Sequence, residues 1–227
     1  MLEYITYKNG NPLRLVIFLH GYNSTISNHQ YAIDWLCEKL PDTLIVIPKA
    51  PEISDKNPER NQWFGMLKYD SEGKRTQPET SSSDIFAIYN AAGNDMKRCS
   101  DLINQFIDEV QAKYKFDDEH TYLIGFSQGA MLTIYAALNR TKPLIGAFAL
   151  SGLVAGSDLL DSDIKSRPPL YMFHGEDDLK VQYKTLSDSV NWLQKHGVNV
   201  QVQTYHNLAH KISEEEVDKI AEVINKH

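Results

Sequence analysis

The run Gly125-Phe126-Ser127-Gln128-Gly129 sets a serine between glycines two positions away on either side. It follows the apolar residues 121–125 directly and precedes a helical pattern directly. A Gly-x-Ser-x-Gly run between strand and helix is the setting of a nucleophile elbow, in which a sharp turn lifts a serine hydroxyl to the start of a helix. The glycines keep neighbouring atoms from clashing in so tight a turn. The helix dipole and its free N–H groups favour negative charge developing on a carbonyl under attack. The chemistry this suggests is acyl transfer through a covalent serine intermediate. The plain alternative is a serine N-cap on a glycine-rich turn. Gln128 follows the serine, so its backbone N–H is a candidate oxyanion donor.

A serine hydroxyl needs a base to take its proton, and the base needs an acid to orient it. Beyond Ser127, residues 170–173 end in His174-Gly175-Glu176-Asp177-Asp178, and residues 200–205 end in His206-Asn207-Leu208-Ala209-His210. The order serine, acid, histidine is the one an elbow of this kind requires. Both groups lie just past the C-terminal end of an expected strand, where open α/β sheets bind ligands. Spacing alone does not choose among Glu176, Asp177 and Asp178, nor between His206 and His210. The two histidines are four residues apart, but the glutamate of a His-Glu-x-x-His metal motif is missing, so no metal is expected there. His29, His120, His196 and His227 read as helix-edge or terminal residues without a catalytic role. Near the start, residues 13–19 run into His20-Gly21-Tyr22, which offers the Tyr22 N–H as a second backbone donor.

The elements that must position these residues read as a mostly parallel α/β sheet, because short apolar runs alternate with helical patterns. Strands are expected at 13–19, 43–48, 121–125, 144–150, 170–173 and 200–205, with an edge strand near 4–7. Helices are expected at 28–40, 83–114 with a break near Gly93, 128–139, 181–196 and 213–226. Ser213 and Glu216 make a capping box for the last. Residues 49–82 fit neither pattern. They combine prolines and charges with Trp63-Phe64, Met66 and Leu67. Long irregular segments of this kind are often functional. The stretch reads either as a surface excursion anchored by Trp63 or as a flap in which Trp63, Phe64 and Met66 contact substrate.

Composition narrows the classes. The chain has 227 residues, 42% of them hydrophobic. At this size roughly seven-tenths of the chain's surface can be buried, enough for a full core. Lys and Arg number 23 against 30 Asp and Glu, for a formal charge of −7, which disfavours a nucleic-acid partner. Cys37 and Cys99 form no CxxC and suit a reducing compartment, and both read as buried helix residues. No run approaches the ~18 apolar residues of a membrane span, and no leader pattern is expected. The default location is the cytoplasm.

Taken together, Phe18-Leu19-His20-Gly21, Ile47-Pro48-Lys49-Ala50-Pro51, Trp63-Phe64, Gly125-Phe126-Ser127-Gln128-Gly129-Ala130, His174-Gly175-Glu176-Asp177-Asp178 and His210-Lys211-Ile212-Ser213 resemble the carboxylesterase and acyl-protein thioesterase (phospholipase/carboxylesterase) family of small α/β-hydrolases. They occur in family order across nearly the whole chain. The resemblance implies one α/β-hydrolase domain over 1–227, with a mostly parallel central sheet and helices on both faces. It implies Ser127, Asp178 and His210 as the catalytic residues, Tyr22 and Gln128 as backbone oxyanion donors, and no metal or other cofactor. The implied substrates are short to medium acyl esters or thioesters, with an acylated protein or a lysophospholipid as more specific forms. A non-catalytic binding protein on the same fold is the alternative of another class. Exposed apolar residues of the 49–82 segment could serve peripheral membrane contact or dimerisation, and the oligomeric state is left open. The departures from the family pattern are Tyr22-Asn23-Ser24 for Leu-Gly-Asp, Gly65 for Asp, Val181-Gln182 for Val-Pro, and Asn207 where glycine is common.

Overall fold

The apolar runs become strands because their side chains are covered on both faces, as parallel sheets require. In the computed structural model, which describes residues 1–8 and 10–226, the strands are β1 (Tyr4–Lys8), β2 (Arg14–Leu19), β3 (Thr43–Pro48), β4 (Glu52–Ile53), β5 (Asn61–Gln62), β6 (Thr121–Phe126), β7 (Gly146–Leu150), β8 (Leu170–Gly175) and β9 (Val200–Tyr205). Every residue of β3, β6, β7 and β8 is buried. β1 and β9, the edge strands of the main sheet, are more exposed. Seven strands form one sheet in the order β1-β3-β2-β6-β7-β8-β9. β1 pairs antiparallel with β3, and the remaining neighbours run parallel. β4 and β5 form a separate antiparallel hairpin.

The helices are α1 (Gln30–Lys39), α2 (Ser82–Ala91), α3 (Gly93–Tyr114), α4 (Gln128–Asn139), α5 (Ser157–Asp163), α6 (Thr185–Lys195) and α7 (Glu214–Ile224). Side chains alternate along each strand, so the sheet separates two apolar layers. On one face Leu15, Ile17, Leu19 and Leu123 pack with Ile103 and Phe106 of α3 and with Leu132 of α4. On the other, Val16, Phe18 and Ile124 meet Ile33 and Leu36 of α1 and Val217 and Ile220 of α7. α4 lies wholly inside, with all twelve residues buried.

Several features differ from the sequence reading. A 3-10 turn, Ile26–His29, precedes α1. α6 begins at Thr185 and not at 181, after a turn in which the Asp178 carboxylate accepts from the Val181 N–H at 3.0 Å. α5 was not anticipated, since its seven residues carry only two leucines and no stripe. Cys99 is buried, with its thiol 3.2 Å from the Trp63 carbonyl, whereas Cys37 is only half-buried. No helix among the described residues is long and apolar enough to cross a membrane.

Candidate active site

The sheet's connectivity reverses between β2 and β6: β2 leads to β3 on one side, and β6 leads to β7 on the other. Ligands bind at such a switch point, beyond the carboxyl ends of the strands. The turns after β2, β6, β8 and β9 carry His20-Gly21-Tyr22, Ser127, Asp178 and His210 respectively.

Ser127 adopts φ 57° and ψ −118°, a conformation that costs a non-glycine residue strain. The surrounding turn holds it there. Its N–H bonds the Leu150 carbonyl at 2.9 Å, and its carbonyl accepts from the Met131 N–H at 3.1 Å. The flanking glycines are obligatory. A Cβ on Gly125 would meet the Gly129 carbonyl oxygen at 2.2 Å, and one on Gly129 would meet the Leu19 oxygen at 2.2 Å.

Ser127 Oγ lies 3.0 Å from His210 Nε2, and His210 Nδ1 lies 2.7 Å from Asp178 Oδ2. The Phe126 ring packs against the imidazole at 4.7 Å between centroids. Asp178 is fully buried. Its Oδ1 accepts from the N–H groups of Lys180 at 2.8 Å and Val181 at 3.0 Å. Burial raises its pKa, but hydrogen bonds from His174 and His210 outweigh burial and hold the carboxyl below the usual carboxylate range. His174 is itself fully buried. It donates from Nε2 to the Val181 carbonyl at 2.8 Å, and that nitrogen is 3.5 Å from Asp178 Oδ2. The other candidates stand apart from His210: Glu176 pairs with His206 at 2.5 Å on the surface, and Asp177 is exposed. His29 and His196 are engaged elsewhere, and His120 pairs with Asp117. His227 lies outside the described residues. Asn207 takes φ 54°, a left-handed conformation that asparagine tolerates better than most residues, so the turn keeps its shape without glycine.

The His20-Gly21-Tyr22 turn after β2 is set by register. Leu19 pairs with Gly125, and a Cβ on Gly21 would lie 3.2 Å from Ser127 Cβ, so the chain entering Tyr22 passes against the serine. His20 locks this turn from below. Its Nε2 accepts the Ala50 N–H at 3.1 Å, which leaves Nδ1 to donate to the Gly21 carbonyl at 2.9 Å. Burial pushes its pKa down to about 4, so the ring is neutral near pH 7. The Tyr22 hydroxyl donates to Asp55. Burial first, and then Asp55, push the phenol up out of its usual range.

A cleft of about 420 Å³ opens above Ser127 and His210, lined on its apolar side by Tyr22, Met66, Tyr89, Met131 and Val181. Met66 is thus at the cleft. Trp63 and Phe64 are not: both are fully buried and face the core, which corrects the expectation that they contact substrate. The Trp63 indole N–H donates to the His20 carbonyl at 2.9 Å. The Gln128 side chain accepts from the Trp63 backbone N–H at 3.0 Å and donates to the Phe64 carbonyl at 2.9 Å. This anchoring role of the Gln128 amide was invisible in sequence, where only its backbone N–H had a reason to matter. His174 could have been suspected from its place beside the candidate acids.

A mostly parallel sheet with helices on both faces and a strained serine at the strand–helix turn defines the α/β-hydrolase class. The sequence matches the Phospholipase/Carboxylesterase family over residues 2–227, and the chain belongs to that family. It is 25% identical over 225 residues to Acyl-protein thioesterase 1 of Neurospora crassa, covering 93% of this chain and 85% of that protein. It is 24% identical over 218 residues to Carboxylesterase SOBER1 of Arabidopsis thaliana, covering 93% and 89%. The crystal structure of esterase PE8 superposes with a TM-score of 0.82 at 24% identity, covering 99% of this chain and 98% of that one. The chain is a serine hydrolase of the carboxylic ester and thioester class.

Proposed function

We propose that Ser127 is the nucleophile, His210 the general base and Asp178 the acid that orients the imidazole. The supporting observation is the unbroken hydrogen-bonded chain from Ser127 Oγ through His210 to Asp178, at 3.0 and 2.7 Å. His210 Nε2 takes the hydroxyl proton as Oγ bonds to the acyl carbon. The tetrahedral oxyanion is held by the N–H groups of Tyr22 and Gln128. His210 then gives that proton to the departing alcohol or thiol, leaving an acyl-serine. Water, deprotonated by His210, attacks the acyl carbon and Ser127 Oγ leaves with the proton. Asp178 stays ionised throughout, because the bonds from His174 and His210 favour its charged form. No step calls on a metal or an organic cofactor.

The substrates are short to medium acyl esters or thioesters, in keeping with a cleft of about 420 Å³ whose apolar wall includes Met66 and Met131. Residues 1–227 act as one catalytic domain in this reading, since cleft residues run from Tyr22 to His210, and the cytoplasm is its site of action. Fluorophosphonate labelling and hydrolysis of 4-nitrophenyl acetate test the assignment. Both disappear in Ser127→Ala; a variant that still labels robustly would overturn it. An acyl series from acetyl to palmitoyl then separates a short-chain esterase from a long-chain thioesterase.

A further inference from the structure

The cleft's charged lining is cationic. Lys56, Arg60, Arg75 and Lys180 all face it, and no carboxylate does among the described residues. The chain as a whole has 30 acidic residues against 23 basic ones, so a lining whose charged residues are all basic runs against its composition.

These charges differ in availability. Arg75 is buried and already holds Asp70 at 2.5 Å. The other three have no carboxylate within ion-pair distance among the described residues. Among the described residues Arg60 reaches only the Asn23 carbonyl, at 3.3 Å. Lys56 Nζ stands 5.7 Å above the Tyr22 ring. The nearby Asp55 is occupied by the Tyr22 hydroxyl and, at 3.0 Å, by the Leu67 N–H. Lys180 follows Asp178 by two residues, and its side chain has no hydrogen-bond partner among the described residues. The three come from two separate places, the β4–β5 hairpin and the turn after β8, and converge on one opening.

We propose that this enzyme prefers esters bearing a carboxylate or phosphate within a few bonds of the scissile carbonyl, with Lys56, Arg60 and Lys180 as the residues that recognise that anion. The proposal rests on the Ser127 hydrolase reading above and names its substrate class. Charges of one sign in a cleft with apolar walls focus the field and concentrate the oppositely charged ligand. A guanidinium can grip a carboxylate or phosphate through two parallel hydrogen bonds, and ammonium groups add point charges. The apolar wall of Met66, Met131 and Val181 then takes the uncharged part of the substrate. The anion can belong to the acyl half or to the leaving alcohol or thiol, and the same lining serves both.

Three esters of equal acyl length separate these sources: 4-nitrophenyl hexanoate, 4-nitrophenyl hydrogen adipate with the charge on the acyl half, and 3-carboxy-4-nitrophenyl hexanoate with the charge on the leaving group. At low salt the wild type should turn over one or both charged esters with kcat/KM roughly tenfold above the neutral one. That ratio should fall toward one between about 0.02 and 0.5 M salt as screening sets in. The triple variant Lys56→Gln, Arg60→Gln, Lys180→Gln should abolish the preference, and each single variant should reduce it. Because the readout is a ratio, partial loss of folded enzyme cancels. If the triple variant does not fold, the single variants and the wild-type salt dependence carry the test. Preference for the adipate assigns the anion to the acyl half; preference for the carboxynitrophenyl ester assigns it to the leaving group. A wild type that favours neither charged ester, or a preference that survives the substitutions, overturns the proposal. Wild-type protein that hydrolyses none of the three and takes no fluorophosphonate label overturns the hydrolase reading instead.

Discussion

Ser127, Asp178 and His210 stand on turns that leave a seven-stranded sheet, whereas Lys56, Arg60, Met66 and Arg75 reach the same cleft from residues 49–82, whose only strands are the two short ones of a hairpin. The first group is placed by backbone register. Leu19 pairs with Gly125, Phe126 with Leu150, and Gly175 with Tyr205, so the turn ends line up before any side chain is considered. The second group is placed by side chains that tie an irregular chain to the sheet: Trp63 on the His20 carbonyl, Gln128 on the backbone of Trp63 and Phe64, and Gln182 on the Arg75 carbonyl at 2.9 Å. The contrast teaches that the proposed catalytic residues are carried by the sheet, while the cleft wall depends on a few buried anchors. Damage to the two regions should therefore read out differently, in rate for the first and in stability for the second.

The largest effect tests the sheet side. Ser127→Ala or His210→Ala alone should lower kcat by about 10⁶-fold, and the double variant should be no worse, since such groups act as a unit. Single-turnover rates on an activated ester measure this, and independent, multiplying losses would separate the two residues. The anchors come next. Trp63→Ala should cost about 3–5 kcal/mol in urea unfolding, because it empties a fully buried site and frees the His20 carbonyl. An unchanged urea midpoint would mean that the excursion is held some other way.

A third test lies behind the proposed triad, in α7. Glu216 is fully buried, with Oε2 capped by the Ser213 N–H at 2.7 Å and Oε1 unbonded among the described residues. Burial raises its pKa from 4.5 to about 7. Between those values the folded chain keeps a proton that the unfolded chain has released. The stabilisation is therefore complete below pH 4.5 and is lost as pH rises through 7. Glu216→Gln, which stays neutral, should gain on the wild type by up to about 3 kcal/mol between pH 5 and 8. Parallel stability curves for the two proteins would refute that. The smallest effect is that of Gln128→Met, which keeps the side-chain length but leaves the Trp63 N–H and Phe64 carbonyl unpaired. It should cost about 1–3 kcal/mol and leave fluorophosphonate labelling in place, because the proposed oxyanion donor is the backbone N–H. Loss of labelling with full stability would move Gln128 from the anchor side of the comparison to the catalytic one.

Much of the sheet side was legible because strands and elbows leave local marks. The apolar runs found β2, β3, β6, β8 and β9 to within two residues at either end, and the glycines at 125 and 129 marked a turn that tolerates no Cβ. The excursion was not legible in the same way. An aromatic pair in a charged segment fits a ligand wall as well as a buried anchor, and only the position of the His20 carbonyl and the Gln128 amide makes Trp63 and Phe64 the second. α5 escaped because seven residues with two leucines carry no periodic signal.

The sequence by itself determined an α/β chain with a serine on a strand–helix turn, followed in order by acids and histidines at later strand ends. Those are local properties, fixed by residue type and spacing. Tertiary structure decided which carboxylate of Glu176, Asp177 and Asp178 faces His210, which of two histidines meets the serine, and which residues of 49–82 turn inward. It also gathered Lys56, Arg60 and Lys180, 120 or more positions apart in part, onto one opening. Such choices depend on strand order and on distances between turns remote in sequence, and a parallel sheet sets these only once every crossover has packed.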